Sequence, residues 1–464
     1  MKRPVGPLLA LALALWPFTT HAVDWAELFN GRDLDGWEVS AWAEWPGQAE
    51  FRVEDGQIVG ISQEGVPNTF LCTQKTYGDF ILEYEVWVEA GLNSGVQIRS
   101  TSDPTVMAGR VHGYQVEIDT SSRHWTGGIY DEARRGWLYP LSRNVASRQA
   151  FRGGEWNHYR VEAIGSSIRT WVNGIHCSDL ADDLTPEGII GLQVHRIKEA
   201  SLAGKEVRWR NIRILEGDLE AHRWAPNPHV PEISWLSNTL TPMEKRKGWR
   251  LLWDGLTSTG WRRANDTHFP EAGWVMRDGV LTVLESGGGE ARHGGDIVTV
   301  EEFSNFELEL DFKITEGANS GIKYFVVEGL NKGVGSAIGL EFQILDDKHH
   351  PDAKEGVNGN RTIGSLYDLI RADNLSEGDG ASKRVNPPGK WNKARLVVNG
   401  THVEHWLNNV KVIEYERGSQ VYRSLVEKSK YAKFAGFGEA PSGHLLLQDH
   451  GNTVHFRSIK IREL

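Results

Sequence analysis

The chain has 464 residues, 39% of them apolar, and a formal net charge of −11. At roughly 150 residues per domain this leaves room for two or three domains, and the apolar share is too low for a polytopic membrane protein. The acidic balance and the lack of a basic cluster speak against a nucleic-acid partner, because nothing offsets phosphate repulsion.

The N-terminus reads as an export leader. Lys2 and Arg3 supply a positive start, Pro7 to Phe18 an apolar run, and Ala22 a small residue at the cleavage point. The run is short for a bilayer span. Losing residues 1–22 takes the net charge to −11 − 2 = −13. A periplasmic or secreted protein without a membrane span is expected.

After the leader, one unit occupies residues 23–217 and a second 248–464. "LFNGRDLDGW" (28–37) pairs with "LWDGLTSTGW" (252–261), and "FILEYEVWVEAGLNSGVQIRS" (80–100) with "FELELDFKITEGANSGIKYFV" (306–326). "GGEWNHYRVEAIGSSIRTWVNG" (153–174) pairs with "PGKWNKARLVVNGTHVEHWLNN" (388–409), "IIGLQVH" (189–195) with "LLLQDHG" (445–451), and "VRWRNIRILE" (207–216) with "VHFRSIKIRE" (454–463). The order never changes, so the chain is a tandem duplication with a period far beyond solenoid lengths.

Each unit is made of short alternating runs broken by Gly, Asn and Asp, the pattern of antiparallel strands. The expected class is all-β, as two tandem jelly-roll sandwiches. "SLVEKSKYAKF" (424–434) is the best helical candidate. Pro226, Pro228, Pro231 and Pro242 make residues 218–247 read as a stiff extended linker that allows limited hinge motion. The 19 Trp and 51 Gly suit a β-rich protein that stacks flat ligands on indoles, although any one Trp is more simply read as core. Cys72 and Cys177 are the only cysteines. Export permits a disulfide, and the sequence leaves their pairing open.

Residues two apart on a strand share a face. Gln115, Glu117 and Asp119 therefore look one way in "YQVEID", and Glu341 and Gln343 do so in "LEFQILDD". Asp346 falls out of phase, and a bulge near Leu345 would restore it. Gln97 and Arg99 share a face in "SGVQIRS", with Lys323 the counterpart of Gln97. Gln193 and His195 share another, as do Gln448 and His450. Any one of these faces reads most simply as solvated. Their recurrence at equivalent places points instead to a concave polar surface suited to a sugar. Tyr130 and Tyr367 read as core aromatics with satisfied hydroxyls. Adjacent His349 and His350 diverge on an extended loop and make a poor metal site. No cofactor is called for, and a structural Ca2+ held by loop carboxylates stays open.

Two-carboxylate glycosidases need acids about 5–5.5 Å apart (retaining) or about 6.5–9.5 Å apart (inverting). Glu117 and Asp119 could span roughly 6–7 Å, whereas Glu341 and Asp346 would lie roughly 17 Å apart on an extended strand. The units keep no common acid pair, so proton abstraction by a histidine base fits better.

As a set, "LNSGVQIRS", "GYQVEID", "TGGIYDE", "GEWNHYRVEA" and "GLQVH", with "GANSGIKYF", "LEFQILDDKHHPDA", "RTIGSLYDLI" and "LLLQDHGNTVHFRSIKI", resemble the 3-keto-disaccharide hydrolase domain family. The resemblance covers nearly the whole mature chain, in two copies. It implies a jelly roll of the concanavalin A-like lectin/glucanase type. It also implies an exported enzyme that removes the C2 proton of a glycoside oxidised at C3, eliminates the C1 substituent and adds water. His195 or His450 is the implied base, with Glu117, Asp119, Glu341 and Asp346 as alternatives. Arg99 or Lys323 would stabilise the enolate. Gln97, Gln115, Gln193, Gln343, Gln448, Tyr130, Tyr367, Asn93 and Asn319 would hold hydroxyls. The second unit is favoured as catalytic because it keeps "QILDD" and "LQDHG" more fully. A non-catalytic lectin-like protein is the alternative, and a two-module interaction protein a weaker third.

Overall fold

The computed structural model describes residues 25–464 except 41, 43, 45–46, 292, 331–334 and 379–380. The expected leader lies outside the described residues. No helix among them is long and apolar enough to cross a membrane.

Each unit is a two-sheet sandwich. The site-bearing sheet of the first contains β1 (Trp37–Ser40), β2 (Thr69–Thr73), β3 (Asn93–Thr101), β4 (His112–Asp119), β5 (Ile129–Glu132), β6 (Gly136–Tyr139) and β7 (Ile189–Val194). They run in the spatial order β6-β5-β4-β3-β7-β2-β1. In the second unit the sheet is built from β8 (Trp261–Arg263), β9 (Ile297–Thr299), β10 (Asn319–Val326), β11 (Leu340–Leu345) and β12 (His444–Leu447), ordered β8-β9-β12-β10-β11. The second order, read in reverse, matches β4-β3-β7-β2-β1 of the first, with β3 matching β10, β4 matching β11 and β7 matching β12, while β5 and β6 have no counterpart strand. The duplication in sequence is thus a duplication of jelly-roll topology. A nine-stranded sheet backs the first unit and an eight-stranded sheet the second.

The alternation of the strands explains the layering. Tyr114, Val116 and Ile118 of β4 point into the first core, as Phe342 and Ile344 of β11 point into the second. Burying large side chains of this kind contributes about 1.5–3 kcal/mol each. Their neighbours are left on the other face of the sheet.

Residues 218–247 are not the extended connector that their prolines suggest. Glu232–Ser234 adds a parallel strand to the first unit through Ile175–Ala181. Val230, Ile233 and Trp235 join the first core, and Trp235 Nε1 donates to the Leu138 carbonyl at 3.1 Å. A helix at Pro242–Arg246, closed by a capping box between Thr241 and Glu244, then pairs Glu244 with Lys460 of the second unit. Direct contacts add to this. Arg143 reaches Glu309 at 3.1 Å, Arg148 donates to the Ser376 carbonyl at 3.0 Å, and the Arg384 guanidinium lies 4.5 Å from the Trp125 ring centre. Prolines here shape a packed strap rather than a tether.

Cys72 and Cys177 are both buried free thiols, which closes the question of their pairing. The helix expected over 424–434 forms at Gln420–Glu427, started by Ser419, with a short 3-10 turn at Lys430–Lys433 started by Ser429. It belongs to residues 417–443, which replace the shorter connection 182–188 of the first unit.

Candidate functional site

The Asn-Ser-Gly shared by both units is the local key to the site. Ser94 Oγ donates to the Gln193 carbonyl at 2.6 Å, and Ser320 Oγ to the Gln448 carbonyl at 2.8 Å, so each serine bolts the Gln-x-His segment beside it. The glycine has a different task. A Cβ on Gly95 would strike the Gln115 side chain, and one on Gly321 would strike the Glu341 carboxylate. Only glycine lets the facing polar side chain lie flat across the strand.

In the second unit these side chains converge on a cavity of about 290 Å3. Lys323, Glu341, Gln343 and Asn319 rise from its floor, Gln448 and His450 line one wall, and Tyr367 another. Lys323 is 4% exposed, and its Nζ lies 3.3 Å from Glu290 and 3.4 Å from Asp296. Burial alone would lower its pKa, but Asp296, Glu341 and Glu290 overcome this and hold the ammonium above its ordinary value. Burial pushes Glu341 up to about 7, against the pull of Lys323 and Lys430. The Gln343 nitrogen is best placed toward Glu341 Oε1 (3.3 Å) and the Ser320 carbonyl (3.1 Å), since the opposite orientation would set its oxygen against acceptors alone. His450 is lowered by burial and so is neutral at pH 7. Its Nδ1 and the Gln448 Oε1 are buried with no protein hydrogen-bond partner among the described residues. Buried polar atoms left unpaired are costly, and both belong to residues that line the cavity.

The first unit presents an open cleft of about 740 Å3. Gln115, Glu117, Asp119 and Asn93 form its floor, and Tyr130 and His195 its sides. Asn93 and Gln115 donate to the two Glu117 oxygens at 2.8 and 3.0 Å. Burial still pushes Glu117 up to about 7. Burial would also raise Asp119, but Arg123 at 2.9 Å and the Ser121 amide hold it below its ordinary value. His195 is lowered by burial, and its Nδ1 lies 2.7 Å from the Arg196 carbonyl.

Four expected site residues do not reach a cleft. Arg99 sits on a β-bulge with φ of 44°, which turns it off the face of Gln97. Its guanidinium is buried on the Gly78 and Gly165 carbonyls and Asp79. Phe325, its counterpart, has the same left-handed backbone. Gln97 and Gln193 are fully buried beneath Gln115, donating to its Oε1 at 2.6 and 2.9 Å. Asp346 is not brought into phase by a bulge, because β10 and β11 pair without a shift. It lies past the strand end, where it accepts from the Gly317 amide (2.8 Å) and pairs with His349 (2.7 Å).

Residues that the pattern did not single out also matter. Glu290 and Asp296 come from the loop before β9, and Lys430 and Tyr431 from the inserted segment 417–443. Lys430 stands 4.2 Å from the Tyr367 ring centre. A helix-bearing insertion with no counterpart in the first unit was the available signal for the latter pair. Neither His349 nor His350 shares a ligand set, His350 accepting from the Asp352 amide instead. His402, Glu404 and Glu414 cluster closely on the opposite sheet, but the Lys411 ammonium already lies among them, 2.5 Å from Glu404 and 2.9 Å from Glu414. That suits a salt-bridge network better than a metal.

A family model described as a 3-keto-alpha-glucoside-1,2-lyase-like domain matches residues 24–215 and again 248–462. The chain belongs to this family. A 3-keto-disaccharide hydrolase of Bacteroides thetaiotaomicron is 35% identical over 237 residues, which cover 47% of this chain and 79% of that protein. Two solved structures from Parabacteroides distasonis, both titled as candidate glycosyl hydrolases, are also similar. One is 33% identical, covering 49% of this chain and all of its own, with a TM-score of 0.43. The other is 27% identical, covering 47% and 99%, with a TM-score of 0.32. Each relative thus matches about half of this chain, whereas the family domain occurs here twice.

Proposed function

We propose that the second unit cleaves glycosides whose sugar carries a ketone at C3, by abstracting the C2 proton. The observation that carries this reading is that the Lys323 ammonium and the His450 imidazole line one small polar cavity. The C3 ketone acidifies C2–H. His450 takes that proton, and the electron pair moves onto the C3 oxygen, where Lys323 offsets the charge of the enolate. The pair then returns to form C1=C2 as the C1–O bond breaks, and the departing oxygen is protonated at the cavity mouth, where Lys430 stands. Water adds across C1=C2, placing hydroxyl on C1 and hydrogen on C2. Glu290 and Asp296 hold the lysine, and Gln343, Gln448, Asn319 and Tyr367 the sugar hydroxyls. A leader over residues 1–22 would deliver the protein to the periplasm or beyond.

The reading rests on the family and on this geometry together. It is tested by incubating the protein with a 3-keto-disaccharide and with the unoxidised parent. Sugar released from the keto form alone supports it, while binding of either without release supports a lectin-like protein.

A further inference from the structure

The first unit has a cleft of its own but no lysine at the equivalent position. Where the second unit buries Lys323, the first has Gln97, locked between Gln115 and Ser100 at 2.6 and 2.7 Å. Glu117, the acid of the cleft floor, is pinned by two amide donors and faces no lysine. The strand position that carries the lysine in the second unit carries no charge here. The cleft is otherwise well built, and larger than the cavity next door.

Its far wall comes from the other unit. Glu377 lies on the loop that follows β11, yet it lines the first unit's cleft together with Trp137 and Arg123. Beyond it, a second hollow of about 550 Å3 shares Tyr130, Trp137 and Glu377 and continues along Lys383, Arg384 and Asn408 of the second unit. The two hollows meet at Trp137, half-buried and edge-on to Tyr130 with ring centres 5.3 Å apart. Glu377 is held there by Arg384 at 2.7 Å, and Arg384 in turn packs on Trp125. Two hollows of this size have room for several sugar rings, and Trp137 where they meet, packed by the Arg123 guanidinium 5.0 Å from its ring centre, offers apolar surface to a pyranose.

The charges favour an uncharged ligand. Each arginine of the cleft already has an acid, Arg110 with Glu132 at 2.8 Å and Arg123 with Asp119 at 2.9 Å. Paired ions of this kind leave donors and acceptors for hydroxyls, and Glu117, Asp119, Glu132 and Glu377 outnumber Arg110 and Arg123 along the lining, which disfavours a carboxylate or sulfate.

We infer that the first unit is a non-catalytic binding site for a neutral oligosaccharide, completed in cis by Glu377 of the second unit. It rests on the carbohydrate-directed part of the proposed function but not on turnover. Holding a longer glycan there would raise the local concentration of its ends for the second unit.

The test is calorimetric titration of the intact protein with unoxidised gluco-oligosaccharides of two to six rings. Affinity should rise with length beyond two rings. It should survive in Lys323→Met and fall at least tenfold in Trp137→Ala and in Glu377→Ala. The second variant keeps the test sound if loss of Trp137 perturbs the fold. Binding that is lost in Lys323→Met and unchanged in both cleft variants would overturn the inference, as would no binding at any length. Release of sugar from a 3-keto-disaccharide that persists in Lys323→Met and stops in Glu117→Gln would also overturn it. If the wild-type protein cleaves no keto-disaccharide yet binds oligosaccharides through Trp137, the proposed activity fails and this inference stands.

Discussion

Lys323 and Glu341 stand directly opposite each other on β10 and β11, at the places that Gln97 and Gln115 occupy on β3 and β4. The same register thus carries a lysine and a carboxyl group in one unit and an amide pair in the other. The amide pair closes a hydrogen bond of 2.6 Å and costs little to bury. Lys323 is ion-paired with Glu290 and Asp296. Burying such charges rarely adds stability, so their retention in one unit points to chemistry there.

Replacing Lys323 by Met should therefore cost stability in a pH-dependent way. Asp296 is fully buried, and burial pushes it up to about 6 even with the lysine present. Without Lys323 it becomes an uncompensated charge, costing about 3 kcal/mol at pH 8. Its folded pKa then lies above the unfolded value of 3.8, so the folded state binds the extra proton and stability falls as pH rises. Denaturant titrations should show the deficit shrinking toward pH 5. An equal deficit at pH 5 and pH 8 would mean that Lys323 does not balance Asp296.

The pH dependence of kcat/KM identifies the base. His450 lies below its ordinary value of 6.5, so activity on a 3-keto-disaccharide should be full at pH 7 and decline only below about 6.5. His450→Ala should lower kcat by about 10²–10⁴ and remove that acid limb. A limb near pH 7 that survives in the variant would transfer the base role to Glu341.

Gly321→Ala should do more harm than its one methyl group implies. The added Cβ meets the Glu341 carboxylate, so either the strand or the acid must move. A loss of about 1–3 kcal/mol is expected, with activity falling further than stability. Gly153→Ala, whose Cβ would meet nothing within 4 Å, is the control. If both variants behave alike in thermal melts and assays, the steric role of the glycine is wrong.

Trp235 carries the strap between the units. It is buried, bonded to the Leu138 carbonyl, and lies under the Lys393 ammonium at 4.6 Å from the ring centre. Trp235→Ala should cost about 3–5 kcal/mol. Scanning calorimetry should show one transition in the wild type and two in the variant. Two transitions in the wild type would mean that the units unfold independently despite these contacts.

The duplication and its strands were legible because alternation and turn residues are local signals. The polar faces of β4 and β11 followed from the period of two alone. Arg99 did not, because a single bulge residue reverses the face and no residue type announces it. Asp346 was misplaced for the converse reason, since a strand end needs no bulge to redirect a side chain. The prolines of 218–247 restrict φ equally in a free tether and in a packed strand, so only Trp235 and Ile233 hinted that the segment was buried. Glu290 and Asp296 come from a loop joined to the site only through tertiary packing, which no short-range pattern reports.

The most direct test of the account follows a deuterium placed at C2 of a 3-keto-disaccharide. Product is collected early and corrected by an enzyme-free control. Proton abstraction by the second unit predicts that the released keto-sugar has exchanged its C2 deuterium for solvent hydrogen, and that Lys323→Met and His450→Ala each slow release by about a hundredfold or more. Deuterium retained at C2 in sugar that is released at the normal rate would mean direct displacement at C1, and would contradict the account.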